Sequence, residues 1–186
     1  MWRYGLFALW IVTTAALGAR LAGLHLIPLP RPTRAIQSTG QTASSVWSLT
    51  HILAVDCPCS LRIADHLLAR GTIPDASEQV WILGPDADLA RRLADRGFQV
   101  STVDPDQLAA ETGIQGGPWL LIRNPAGAVV YSGGYAPQPL HDPAEARDLE
   151  LLAKVRQGQR PDPWPAFGCA ASHSLQQLLD PFGLKY

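Results

Sequence analysis

Residues 47–70 read WSLTHILAVDCPCSLRIADHLLAR, and the change of period inside this stretch decides the fold. The first nine, 47–55, are a short apolar run of the kind that forms a buried strand. After Asp56-Cys57-Pro58-Cys59-Ser60 the pattern turns helical. Leu61, Ala64, Leu67 and Leu68 recur on one face, while Arg62, Asp65, His66 and Arg70 take the other. Gly71 follows as a C-cap. A strand therefore hands over to a helix through a turn that carries two cysteines.

The alternation continues outward from this unit. Residues 79–83 read as a strand, 86–96 as a helix closed by Gly97, 98–103 as a strand and 104–112 as a short helix. Beyond Gly116-Gly117-Pro118, the runs 119–123 and 128–132 flank the turn Asn124-Pro125-Ala126-Gly127 and predict a hairpin. A helix is expected at 143–157 and a short one at 172–179, within an otherwise irregular Pro-rich tail. A βαβ half followed by a ββα half predicts an α/β fold, its mixed sheet mostly parallel with an antiparallel edge and helices on both faces.

With 186 residues, 47% hydrophobic and 17% charged, the chain suits one globular domain plus an accessory segment and is too apolar to be disordered. Three cysteines are too few for a disulfide-stapled mini-protein or a four-cysteine metal site. A net charge of -1 offers no electrostatic footprint for nucleic acid, and none is expected as a partner. That total conceals an asymmetry. Residues 1–55 carry Arg3, Arg20, Arg31 and Arg34 and no acidic residue, leaving 11 basic and 16 acidic residues from 56 onward, a net of -5.

Residues 4–19 hold no charge, and the apolar character resumes at 21–27 beyond Arg20. This predicts a membrane-spanning anchor oriented by Arg3, with the small residues Ala16 and Gly18 leaving a cleaved export signal as the alternative. The expected organisation is an anchor or signal at 1–27, a Pro/Ser/Thr-rich linker at 28–45, the α/β domain at 46–157, and a tail at 158–186 that packs on it.

Cys57 stands at the junction of strand and helix, where unpaired N–H groups and the positive end of the helix dipole stabilise a thiolate. Such a placement makes a nucleophile; metal ligation and plain packing are the alternatives. A local disulfide to Cys59 closes only if Cys57 keeps an extended conformation, since two helical neighbours point their Cβ vectors apart. Such a bond would be strained and oxidising. Cys169 is the rival partner. His51 and His66 flank the motif, and with the cysteines they offer sulfur and nitrogen donors suited to Cu(I) or Zn. As ordinary residues, His66 reads as solvated on a polar helix face and His51 as one position of an alternating strand. Asp56 reads as an N-cap or surface group, Trp47, Trp81 and Trp119 as core, and Trp164 as a cover for Cys169. No phosphate-binding glycine motif is present.

The helix-leading cysteines, the stretch GIQGGPWLLIRNPAGAVVYSGGY at 113–135 and the closing helix resemble the membrane-tethered thioredoxin-like proteins of bacterial envelopes, over roughly residues 46–156. The resemblance implies a thioredoxin-like fold behind an N-terminal transmembrane helix, a single-pass inner-membrane protein with its C-terminal domain on the periplasmic side. It implies thiol-disulfide exchange with protein thiols or disulfides and no organic cofactor. Residue by residue, Cys57 becomes the attacking thiol and Pro118 a cis-proline packed against the active cysteines. CPCS replaces the family's CxxC, so Ser60 stands where its second cysteine would be, and Asp56 where an aromatic residue is usual. Cys59 is the preferred resolving thiol and Cys169 the rival; counting instead from Pro58-Cys59 would put Asp56 in the nucleophile's place. Two other functions share the fold: a copper metallochaperone using Cys57, Cys59 and a later histidine, His141 or His173, and a redox-inactive binding module. The CPC spacing does not match the CxxxC of copper-insertion relatives.

Overall fold

β1 (Trp47–Ala54) lies at the centre of the sheet, and its neighbours follow from the order of elements in the chain. After it come α2 (Pro58–Arg70), β2 (Ala76–Leu83), α3 (Ala87–Asp95), β3 (Gln99–Val103), α4 (Pro105–Thr112), β4 (Gly116–Gly117), β5 (Trp119–Arg123) and β6 (Val129–Gly133). A 3-10 turn (Pro143–Glu145), α5 (Asp148–Arg156), β7 (Cys169–Ala170) and α6 (His173–Leu179) complete the domain, and α1 (Trp2–Leu24) precedes it. This computed structural model describes residues 2–24, 28–32, 45–180 and 182–183.

The main sheet runs β3-β2-β1-β5-β6; β1, β2 and β3 are parallel, and β5 and β6 add antiparallel edges. Because β1 is covered on both faces, its last six residues are all buried, which is why it reads as a continuous apolar run. Leu49 and Leu53 pack with Ile63, Ala64 and Leu67 of α2 and with Leu151 and Val155 of α5. Ile52 and Ala54 face the other way, onto Leu108 of α4, Ile114, Trp119 and Leu175 of α6. Each fully buried aliphatic side chain in these layers contributes roughly 1.5–3 kcal/mol.

His51 points into the first layer and anchors a buried ionic network. Its Nε2 lies 3.0 Å from Glu78 Oε1 and its Nδ1 2.9 Å from the Tyr135 hydroxyl. Arg70 Nη2 donates to Glu78 at 2.6 Å and to Asp148 at 2.7 Å, and His66 Nε2 lies 2.8 Å from Asp148 Oδ1. The side chains of Glu78 and Asp148 are wholly buried, so the pairing is what makes their burial tolerable. β1, α2, β2 and α5 are thereby tied together. His66, expected in solvent, is a half-buried member of this network, because α5 covers the polar stripe of α2.

Three other expectations change. The helix expected at 143–157 divides into the 3-10 turn and α5, because Arg147 N donates to Tyr135 O at 3.1 Å instead of continuing a helical ladder. β2 begins at Ala76 because Trp47 pairs with it. The tail also gains a strand, β7.

The membrane-spanning helix is corrected as well. α1 is helical for 23 residues, and Tyr4, Leu6, Phe7, Leu9, Trp10, Ile11, Val12 and Leu17 are exposed. Among the described residues, however, no helix is long and apolar enough to cross a membrane. The uncharged run between Arg3 and Arg20 is sixteen residues, short of the roughly 17–25 that a span needs. Residues 25–27 and 33–44, which hold the end of the expected anchor and most of the expected linker, lie outside the described residues. The linker's first residues pack on the domain: Leu29 is buried and its N–H donates to Ala166 O at 2.7 Å.

Candidate active site

The site forms where β1 ends. Asp56 takes a left-handed conformation (φ 54°), which aspartate tolerates better than most residues, and this turns the chain from the strand into α2. Cys57 is then the N-cap in an extended conformation (φ -104°, ψ 113°), and Pro58 occupies the first helical turn, where its missing N–H costs nothing. The extended geometry is the one that leaves a bond to Cys59 open. Asp56 itself is exposed and is not the cap.

Ser60 is fully buried, and its Oγ accepts from Ala54 N at 3.0 Å, tying the first turn of α2 to the end of β1. The position that departs from CxxC thus carries a structural clasp. The sequence singled out Ser60 only as an absent cysteine; its small hydroxyl one turn after a strand end is the signal that could have shown the clasp.

The Gly117-Pro118 peptide bond is cis, and Gly117 O accepts from Cys57 Sγ at 3.6 Å, so Pro118 follows directly on the residue that touches the Cys57 sulfur. Gly117 admits no side chain, since an added Cβ would sit 2.8 Å from Ala54 N and 2.9 Å from Ile52 O. On its outer side β4 pairs antiparallel with β7, placing Gly117 opposite Cys169 and Gly116 opposite Ala170. The tail therefore delivers the third cysteine to the first.

Cys57 is wholly buried, whereas Cys59 and Cys169 are half-buried. All three are thiols. Hydrogen bonds from Cys169, then from Cys59, hold the Cys57 sulfur well below the ordinary thiol range, against burial, which opposes the charge. The Gly117 carbonyl accepts from the protonated form and so favours it; two thiol donors and the start of α2 favour the thiolate, and they outweigh one carbonyl. The arrangement is a buried sulfur at a helix N-terminus, held toward the thiolate, with two further cysteines beside it.

The alternative metal set does not assemble. Among the described residues, no three His, Cys, Asp or Glu side chains come together as a metal-binding group. His141 is exposed, with its backbone N–H on Glu145, and His173 pairs with Asp106 at 2.5 Å. His51 and His66 belong to the network built around Arg70, about 20 Å along α2 from Cys57 at 1.5 Å per residue. Trp164 does not cover Cys169: it packs against the first core layer, with Lys154 Nζ 6.0 Å from its ring centre. Trp119 is buried as expected, whereas Trp47 and Trp81 are only partly so.

No family model and no curated protein matches the chain. Solved structures do. A hypothetical protein from Sinorhizobium meliloti 1021 aligns at 18% identity over 78% of this chain and 93% of its own, with a TM-score of 0.52. An uncharacterized conserved protein from Geobacillus kaustophilus aligns at 14% identity over 79% and 91%, with a TM-score of 0.50. A secreted disulfide oxidoreductase from Mycobacterium tuberculosis aligns at 10% identity over 62% and 84%, with a TM-score of 0.40, too distant to carry an argument. At such identities the likeness is one of fold. Strand order, the cysteine turn that leads α2 and the Gly117-Pro118 junction facing it make this a mixed α/β domain of thioredoxin-like fold.

Proposed function

We propose that the protein is a thiol-disulfide oxidoreductase of the cell envelope, exchanging disulfides with partner proteins through Cys57. The observation that carries this reading is the Cys57 sulfur itself: at the N-cap of α2, against the Gly117 carbonyl, with the thiols of Cys169 and Cys59 donating to it. In the reducing direction the Cys57 thiolate attacks one sulfur of a partner disulfide, that S–S bond breaks, and a partner thiolate leaves. A second thiolate, from Cys59 or Cys169, then attacks Cys57 Sγ and expels the other partner sulfur. Two electrons pass to the partner and an internal disulfide remains; an oxidised chain runs the same steps in reverse. Sulfur carries the electrons throughout, so no organic cofactor is required. Pro118, buried beside the pair, closes one side of the site.

The exposed apolar side chains of α1, within a basic and acid-free N-terminal stretch, support export and association with the membrane, and the proposal includes a domain on the periplasmic side. Trapping tests the chemistry. Cys59→Ser and Cys169→Ser chains, incubated with envelope extract and mapped by mass spectrometry, are expected to hold partners on Cys57. Exchange in the wild type with no partner ever captured at Cys57 would sink the reading. Protease digestion of spheroplasts tests location: the domain should be cut while cytoplasmic markers survive, and its protection alongside them would refute export.

A further inference from the structure

The tail between Pro163 and Ser172 runs along the site as an extended strap, fastened at several points. Arg31 Nη2 donates to Pro163 O at 3.0 Å, Gly134 N to Trp164 O at 2.9 Å and Leu29 N to Ala166 O at 2.7 Å. Beyond β7, Ala171 N and Ser172 N donate to Gln115 O at 2.8 and 3.1 Å. Most of this fastening is by backbone, and it is unusually close. A Cβ on Gly168 would collide with the Gly117 carbonyl and lie 2.7 Å from Pro118 Cδ, while one on Gly116 would collide with the Cys169 carbonyl. Glycine stands on both chains where they touch, so only a chain with a very small residue before its cysteine fits this lane.

Cys57 is wholly buried where the end of β1, the start of α2 and the Gly117-Pro118 turn meet, and β7 lays Cys169 along the outer edge of that turn, opposite Gly117. A cysteine-bearing segment that pairs with β4 beside Cys57 therefore takes the place that Cys169 now holds. We propose that the strap is an internal substrate: residues 163–172 occupy the lane that a partner's extended, cysteine-bearing segment must use, and the partner is released when the strap re-enters and Cys169 resolves the mixed disulfide. The inference rests on the exchange reading above and adds the resolving thiol, the form of the partner segment and the gate.

The steps balance. With the strap displaced, the Cys57 thiolate attacks R–S–S–R′, forming Cys57–S–S–R and releasing R′–S⁻. As the strap returns, the Cys169 thiolate attacks Cys57 Sγ, forming Cys57–S–S–Cys169 and releasing R–S⁻, which takes a proton from water. The partner gains two electrons, and the strap is now held shut covalently. An external dithiol must reduce that bond before the next cycle. Resolution and ejection are one event, because the returning strand competes for the backbone groups of Gly116 and Gly117 that held the partner.

The probe is the nonapeptide PAFGCAASH, this chain's residues 165–173, with its cysteine carried as a mixed disulfide with thionitrobenzoate. Release of the coloured thiolate reads attack by Cys57, and intact-protein mass reads whether the peptide stays. Reduced wild-type chain should release colour and then peptide, ending two hydrogens lighter; Cys59→Ser, which alters the rate of attack by removing a thiol beside Cys57, should still release the peptide and end two hydrogens lighter. Cys169→Ser should release colour and keep the peptide. Gly168→Val, which bars the strap from its lane, should keep attack and slow peptide release roughly 10²-fold, the effect of misplacing a reacting group by about 1 Å. Arg31→Ala, which only unfastens one end at the surface, should shift release the same way by less, and it carries the test if Gly168→Val does not fold. The peptide PAFVCAASH should be captured at least about tenfold more slowly. Peptide release that survives Cys169→Ser and is lost in Cys59→Ser, or that is indifferent to Gly168→Val and Arg31→Ala, overturns the strap and leaves exchange intact. No colour from any variant overturns the exchange reading and the strap with it.

Discussion

Glu78→Gln measures what the buried network is worth to the helix that presents Cys57. Glu78 Oε1 accepts from His51 Nε2 at 3.0 Å and Arg70 Nη2 at 2.6 Å, and Oε2 from Ile73 N at 2.6 Å and Arg70 Nη1 at 3.1 Å. Burial pushes its carboxyl up, but the hydrogen bonds from His51 and Arg70 and their charges outweigh it, leaving a pKa of about 2. Against an unfolded value near 4.3, at 1.36 kcal/mol per unit, the charge contributes about 3 kcal/mol at neutral pH. That agrees with the roughly 3–5 kcal/mol typical of breaking a buried pair. The pKa is depressed in the folded state, so the contribution is complete above the unfolded value and disappears as pH falls through the folded one. Urea unfolding followed by tryptophan fluorescence should therefore find Glu78→Gln about 3 kcal/mol less stable at pH 7, a drop of roughly 10 °C in Tm. The gap should shrink to about half at pH 3 and nearly close at pH 2. A gap below about 1 kcal/mol at pH 7, or one unchanged at pH 3, refutes the reasoning.

The rate of Cys57 alkylation by iodoacetamide, followed from pH 4 to 10 by mass mapping, should reach its plateau well below the ordinary thiol value of about 8.5. Cys169→Ala should move that midpoint upward, since Cys169 is the largest influence lowering it; a wild-type midpoint at the ordinary value contradicts this account. Ser60→Ala leaves the buried Ala54 N–H without its acceptor and should cost about 1–3 kcal/mol in urea unfolding, a loss that near-wild-type stability would exclude. Gly117→Ala forces a methyl against Ala54 N and Ile52 O, so a cost of about 1–3 kcal/mol and slower exchange are expected; unchanged values for both would show that β1 yields freely.

Most of the sheet is legible in the residues because periodicity and turn chemistry are local. The step from a continuous apolar run to a period of 3.6 across residues 55–61 marks the strand-to-helix turn, and the placement of Cys57 at its helix cap follows. The hairpin around Asn124–Gly127 and the C-cap at Gly71 are equally plain, and the structure forms both. His66 is misread for a reason that is not local. It lies on the polar stripe of α2, and only the return of α5 some eighty residues later converts that stripe into a buried interface with Asp148. The split of the 143–157 helix has the same origin, a backbone bond from Arg147 to Tyr135 that competes with the helical ladder.

The site divides along that line. Residue types and their spacing settle that a cysteine leads a helix, because an N-cap position and a helix dipole are properties of a few consecutive residues. They leave open which of Cys59 and Cys169 stands with it, and whether any histidine joins them. Folding brings both cysteines to Cys57 and holds the histidines elsewhere. Cys169 reaches Cys57 through the pairing of β7 with β4, two backbones that touch at glycines and so leave almost no side-chain pattern to read. The histidines are drawn elsewhere by carboxylates that burial leaves in need of partners. Contacts made by backbone between distant segments, and polar groups that must find partners once buried, are consequences of chain closure, which no window of adjacent residues encodes.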